Sequence, residues 1–169
     1  MENKKSMLLG SFVADALSLG AHWVYDSEKI QKEIVNMEIF NDPISIYHPT
    51  KKKGDFTHNG DMSLFLLSFI KNNDLDKSNF QDKLYSSWRE YIESYQGYID
   101  SASKESLENL KNSKMPSGKT SGDDFNVCSR IAPLVYRFID DRELLRYYCV
   151  IQTLMTNNLP ISVLATNII

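Results

Sequence analysis

The segment GDFTHNGD, residues 54–61, gathers two carboxylates, a hydroxyl and an imidazole into one short stretch. Hard divalent cations take oxygen ligands, and Mg2+ commonly binds one or two carboxylates while keeping several waters. Asp55, Thr57 and Asp61 can supply such oxygens, and His58 can act as a ligand or a base. Each residue also has a plainer use. A Thr or Asp here can cap a following helix or close a turn. A carboxylate at a helix N-terminus is favoured without any metal, and a loop histidine often only makes a surface hydrogen bond.

Asp15 is the next candidate, because it interrupts the apolar run MLLGSFVADALSLG. A carboxylate on an apolar helix face must be paired, hydrated or metal-bound, since an unpaired buried charge is too costly. His22, Trp23 and Tyr25 follow shortly after. Aromatic rings with polar tips suit sugar and nucleotide surfaces, or simply pack a helix end. A third region, GKTSGDDFNVCSRIAP at 118–133, runs a Gly- and Ser-rich loop into a helix start. Backbone N–H groups there can hold phosphate, with Gly122 and Asp123 in the turn. The spacing is not that of a nucleotide P-loop. Arg130 within an apolar stretch needs a partner, either a carboxylate or a ligand phosphate.

The elements that must position these residues read as helices. Leu8, Phe12, Ala16 and Leu19 have helical spacing and predict a helix over about 6–20. Gly10, Ala14, Ala16 and Gly20 on it would allow close backbone approach. Asp26 and Ser27 can cap a helix over about 28–37. Residues 47–60 are polar and read as a long loop, and long loops in compact domains are often functional. A largely apolar, central helix is expected over about 61–71. Ser78 and Gln81 form a capping-box pattern. The stripe Phe80, Leu84, Trp88, Tyr91, Ile92 and Tyr95 then predicts an amphipathic helix whose apolar face is core. A short polar helix suits 101–112, and 113–122 reads as a flexible loop. Pro133 must kink or split a helix over about 123–138. Asp140 and Glu143 form a second capping box before a helix over about 141–155, and Asn158 and Pro160 start a last one. No alternating strand pattern is visible. The expectation is an all-α bundle of seven or eight helices in one domain over 1–169.

Composition narrows the function classes. The 169 residues carry a net charge of −3, which offers no basic face for nucleic acid. The cysteines Cys128 and Cys149 are far apart and form neither a CxxC pair nor a disulfide framework. They suit a reducing compartment. The N-terminus lacks the long apolar core of a signal peptide. The uncharged stretch 147–169 is broken by Gln152, Asn157, Asn158 and Pro160, which favours a buried helix pair over a membrane span. A cytoplasmic protein is expected. The stretch ends on the apolar ISVLATNII, which suggests a missing C-terminal part or a partner chain.

These pieces together resemble one family, the ADP-ribosylglycohydrolases. SFVADALSLGAHWVYD is similar to their opening Gly-Asp-Ala-Leu-Gly helix, with Asp15 at the helix aspartate. GDFTHNGDMSLFLLSF is similar to their Thr-Asp-Asp-Thr metal motif and the apolar helix behind it. SGDDFNVCSRIAPLVY resembles their Gly-rich turn leading to Arg-Ile-Ala-Pro-Leu. Within the family, HWVYD and GDFTHNGD resemble a branch containing J1-crystallin. The resemblance implies an orthogonal all-α bundle, a dinuclear Mg2+ or Mn2+ site, and hydrolysis of the bond joining ADP-ribose to its carrier.

Carried across residue by residue, it implies Asp15 and Asp61 as catalytic, and Thr57, His58 and Asp61 as metal ligands. It implies His22, Trp23, Tyr25, His58, Gly122, Asp123 and Arg130 as binding the ADP-ribosyl substrate. His58 and Asn59 stand where the two metal aspartates would be, and a second, downstream aspartate motif has no counterpart here. The alternatives are a non-catalytic crystallin-like structural or ADP-ribose-binding protein, and a truncated product. The enzyme reading calls for a complementing C-terminal chain or segment to complete the site, and the truncated product for self-association.

Overall fold

A computed structural model describes residues 2–122 and 125–167. Among the described residues eight α-helices run in order: α1 (Glu2–Ser18), α2 (Ser27–Glu33), α3 (His58–Asn72), α4 (Phe80–Ser94), α5 (Ser101–Lys111), α6 (Ala132–Phe138), α7 (Arg142–Thr156) and α8 (Pro160–Thr166). Short 3-10 turns extend α1 over Leu19–Ala21 and precede α6 over Asn126–Arg130. No strand occurs among the described residues.

The amphipathic stripe on α4 becomes core. Phe80, Leu84 and Trp88 have no exposed surface, and truncating a large buried aromatic to Ala costs about 3–5 kcal/mol. They meet Met62, Leu66 and Phe69 of α3, Leu134 and Phe138 of α6, and Leu145, Tyr148 and Met155 of α7. Helix α1 lies across α3 and α6, and α8 lies against α7. Between α7 and α8, Thr153 Oγ1 donates to Thr166 Oγ1 at 3.0 Å. Ile161 and Leu164 of α8, like Leu9 and Val13 of α1, remain exposed. No helix among the described residues is long and apolar enough to cross a membrane.

Several boundaries differ from expectation for local reasons. Helix α2 ends at Glu33, where Ile34 turns extended and buries its side chain. Helix α3 begins three residues early, because the Thr57 side chain caps the N–H groups of Asn59 and Gly60. The Ser78 capping box does not form. Asp76 accepts from Ser78 N at 2.7 Å, and Asn79 makes no side-chain cap. Asp141, not Asp140, caps α7, accepting from Leu144 N at 3.0 Å. The helix expected over 123–138 splits as Pro133 requires, into a 3-10 turn and α6.

The expected flexible loop over 113–122 is tied down in its middle. Gly118 N donates to Leu154 O and Lys119 N to Thr156 O, each at 2.9 Å, and Asn158 N donates back to Lys119 O at 2.8 Å. Only glycine fits at 118, because a Cβ would lie 2.6 Å from Asn158 N and from Leu154 O.

Candidate functional site

The last turns of α1 and the first turn of α3 face each other, and Asp15 joins them. Its Oδ2 accepts from Thr57 N at 2.8 Å, and its Oδ1 accepts from Thr57 Oγ1 at 2.7 Å. The Gly60 N–H also supports the carboxylate. A helix N-terminus is where orphan donors and the helix dipole best receive an anion. Glycine at 60 is required by this approach, since a Cβ there would stand 2.1 Å from Asp15 Oδ2. Burial pushes the Asp15 pKa above the ordinary carboxylate value. The Thr57 bonds pull it back only in part, and the negative charge of Asp61 pushes it further up.

Above this contact lies a cleft of about 420 Å3, lined by Asp15, Thr57 and Gly60 with Ser11, Ser18, His22, Asn59, Ser63 and Ser129. Phe12 and Ala14 complete its walls, so hydroxyl and amide groups share the lining with apolar surface. The Ser63 hydroxyl and the Asn59 amide oxygen are both buried, with no hydrogen-bond partner among the described residues. A larger groove of about 670 Å3, between Lys5, Leu9, Leu67 and Tyr136, holds none of the candidate residues.

Asp61 lies behind this cleft and does not line it. Its Oδ2 accepts from Lys51 Nζ and from the Tyr95 hydroxyl, each at 2.5 Å. Burial, and next this bond to Asp61, hold the Tyr95 phenol far above its ordinary pKa. His58 points elsewhere again. It is 1% exposed, with Nε2 3.2 Å from Ser103 Oγ and 3.7 Å from Asp100 Oδ1. Burial drives its pKa down to about 4, against the pull of Asp100. The imidazole is therefore neutral near pH 7.

The residues expected to hold a divalent cation do not converge on one. Thr57 Oγ1 donates to Asp15 and accepts from Asn59 N and Gly60 N. Asp61 is engaged by Lys51 and Tyr95, and His58 by Ser103. Asp55 accepts from Lys52 N at 2.9 Å and closes a turn. Among the described residues, no group of three or more His, Cys, Asp or Glu side chains could hold a metal ion. This donor set does not fit the dinuclear site that the resemblance implies.

The expected substrate-binding residues also divide. His22 lines the cleft. Its Nδ1 lies 2.9 Å from His48 Nε2, so one nitrogen donates and the other accepts. Burial, with His48 beside it, lowers the His22 pKa to about 4. Trp23, with φ at +59°, stacks on both imidazoles at 4.4 and 5.3 Å. Tyr47 and Tyr98 meet its indole edge-on. Tyr25 is 90% exposed and outside the cleft. Gly122 is exposed with φ at +98° and also lies outside it, and Asp123 falls outside the described residues.

Arg130, expected at the substrate, lies buried beside Asp100 and Thr156. It is 1% exposed, with NH2 3.4 Å from Asp100 Oδ2 and NH1 3.1 Å from Thr156 Oγ1. Burial raises the Asp100 pKa, but Arg130 and His58 outweigh it and hold the carboxyl below its ordinary value. Its neighbour Ser129, not Arg130, reaches the cleft.

Sequence reasoning missed Lys51, His48 and Asp100 altogether, and placed Tyr95 in the core stripe. Asp100 carried a readable signal, an Asp before the helix-forming SASKESLENLK, and it does accept from Ser103 N at 2.7 Å as an N-cap. Nothing in the run Lys51, Lys52, Lys53 distinguishes the one lysine that turns inward.

Comparison with known proteins supplies the lineage. No curated protein sequence matches the chain. A solved structure, a chain of an ADP-ribosylglycohydrolase-related protein complex, superposes with a TM-score of 0.59 at 16% identity. The match covers 99% of this chain and 54% of that one, so this chain spans about half the length of its structural neighbour. At that identity the likeness speaks to fold alone, and the fold is the all-α one. The family model for ADP-ribosylglycohydrolase matches residues 2–169. The chain therefore belongs to the ADP-ribosylglycohydrolase family.

Proposed function

We propose that this chain binds an ADP-ribosyl unit in the Asp15–Thr57 cleft and contributes to hydrolysis of its glycosidic bond. The observation that carries the reading is the Asp15 carboxylate, held by the first turn of α3 in a cleft that mixes hydroxyl and amide groups with apolar surface. A carboxylate has about four acceptor positions. The Thr57 N–H, the Thr57 hydroxyl and the Gly60 N–H use three. The remaining one suits a ribose hydroxyl, and Asn59, Ser63 and Ser129 suit its neighbours.

Glycosidic hydrolysis needs a water delivered to the anomeric carbon and a proton delivered to the departing atom. A carboxyl whose pKa is raised by burial is the kind of group that can exchange that proton. Thr57 orients it, and the neutral His22 supplies a donor or acceptor at the cleft wall. The family resemblance adds Mg2+ or Mn2+, which would orient the ribose hydroxyls and activate water. Because the residues of this chain do not fit that metal pair, no step is assigned to it.

A second reading, ligand binding without turnover, is favoured by one observation: Asp61, the other expected catalytic carboxylate, is consumed by Lys51 and Tyr95. It agrees with the likeness of HWVYD and GDFTHNGD to the crystallin-like branch. In either case the exposed Leu9, Val13, Ile161 and Leu164 are available to a complementing chain or a second copy. The free cysteines suit a cytoplasmic setting.

Isothermal titration with ADP-ribose tests the reading. Binding to the wild type, weakened tenfold or more by Asp15→Asn, supports it. No heat with the wild type, or equal affinity in the variant, removes it. Release of ADP-ribose from an ADP-ribosylated carrier separates the hydrolase from the binding protein.

A further inference from the structure

Lys51 reaches out of the loop before α3 and sets its ammonium on Asp61 Oδ2, with side chains only 16% and 14% exposed. The loop is built to deliver it. Lys51 N donates to His48 O, Lys52 N to Asp55, and Lys53 N to Asp42 Oδ1 at 2.8 Å. From there the charge faces Tyr95, His48 and His58. It lies 5.8 Å from the centre of the Tyr95 ring. It also disfavours protonation of both His48 and His58. The Asp61 charge also reaches Asp15, whose carboxyl it helps to push up. The Lys51 ammonium sits on Asp61, one of the carboxylates that the sequence offers to a cation.

We infer that the Lys51 ammonium is the resident cation of this site, standing in place of a divalent metal, so that its ligand binding is independent of Mg2+ and Mn2+. The inference rests on the proposed site but not on the identity of its ligand. An ammonium is a fixed unit charge with three donors and no coordination demands. Lys51 can therefore neutralise Asp61 while Thr57 and His58 remain committed to other partners.

Mn2+ alone is the probe, followed by the electron paramagnetic resonance signal of the free ion. With the wild type, the free-ion signal should be undiminished up to about 1 mM Mn2+, the weak end of carboxylate cation sites. Lys51→Met uncovers Asp61 and should bind Mn2+ at least tenfold more tightly. Lys51→Arg keeps the charge and should stay metal-free, with an unchanged circular dichroism melt as the check on folding.

Wild-type binding of Mn2+ that Asp61→Ala abolishes would overturn the inference. So would a folded Lys51→Met that gains no affinity for Mn2+. ADP-ribose titrated with and without EDTA then reads the proposed ligand. Equal affinity supports metal independence, and dependence on added Mg2+ refutes it. Absence of any ADP-ribose binding would remove the functional reading and leave the Mn2+ result standing on its own.

Discussion

Replacing Asp15 by Ala and by Asn should separate the structural from the functional share of this residue. The carboxylate receives Thr57 N at 2.8 Å and Thr57 Oγ1 at 2.7 Å, and the Gly60 N–H supports it. Hydrogen bonds to a charged group contribute about 1.5–3 kcal/mol each, and a buried donor left without a partner costs about 1–3 kcal/mol. Part of that gain is offset by the burial that raises the Asp15 pKa.

Ala at 15 should therefore cost about 2–3 kcal/mol, or roughly 4–12 °C in Tm for a chain of this size. Asn keeps its carbonyl oxygen for the Thr57 N–H; Thr57 Oγ1 already accepts from Asn59 N and Gly60 N, so the Asn amide N–H groups turn toward the cleft. It also removes the charge whose burial is unfavourable. Asn should remain within about 1 kcal/mol of the wild type, yet lose ADP-ribose binding like Ala. Urea unfolding measures the first effect and calorimetric titration the second. If Asn proves as destabilising as Ala, or Ala leaves stability unchanged, the account of Asp15 as the anion at the start of α3 is wrong.

Gly60→Ala would place a Cβ 2.1 Å from Asp15 Oδ2 and 2.8 Å from Phe56 Cβ. It should cost about 1–3 kcal/mol by overpacking and abolish ligand binding, both visible by melting and titration. Arg130→Ala leaves Asp100 buried without its nearest cation, so a loss of about 3–5 kcal/mol is expected in urea unfolding.

Stability should fall on acidification between the ordinary histidine pKa of 6.5 and about 4, because His58 and His22 are held near 4 in the folded chain. In that window the unfolded chain binds more protons, so the slope is positive with pH, at most about 1.4 kcal/mol per pH unit for each histidine. Asp15 works in the opposite sense. Its raised folded pKa means that its contribution is largest in acid and is lost as pH rises through that value. His58→Gln should flatten the acid limb in a pH series of unfolding curves, and an unchanged slope would count against the burial of a neutral imidazole.

Local chemistry wrote much of the helical plan directly into the sequence. The apolar positions Phe80, Leu84, Trp88 and Ile92 recur at the helical period, and such a face has nowhere to go but the core. Asp26 caps α2 and Pro133 splits the helix before α6, because a side-chain acceptor and a missing N–H act on their own neighbours. Asp15 and Thr57 were legible as chemistry, since a carboxylate in an apolar helix and a hydroxyl before one both demand partners.

That they are each other's partner was not legible, because the contact joins residues 42 positions apart and depends on how α1 crosses α3. The same holds for Asp61, Arg130 and His58. Each sequence position named a group needing a counter-charge or a hydrogen bond. Only packing chose Lys51 and Tyr95 for the first, Asp100 and Thr156 for the second, and Ser103 with Asp100 for the third. Periodicity and capping act within a few residues, whereas electrostatic pairing is settled by distance in space, which the chain order does not contain.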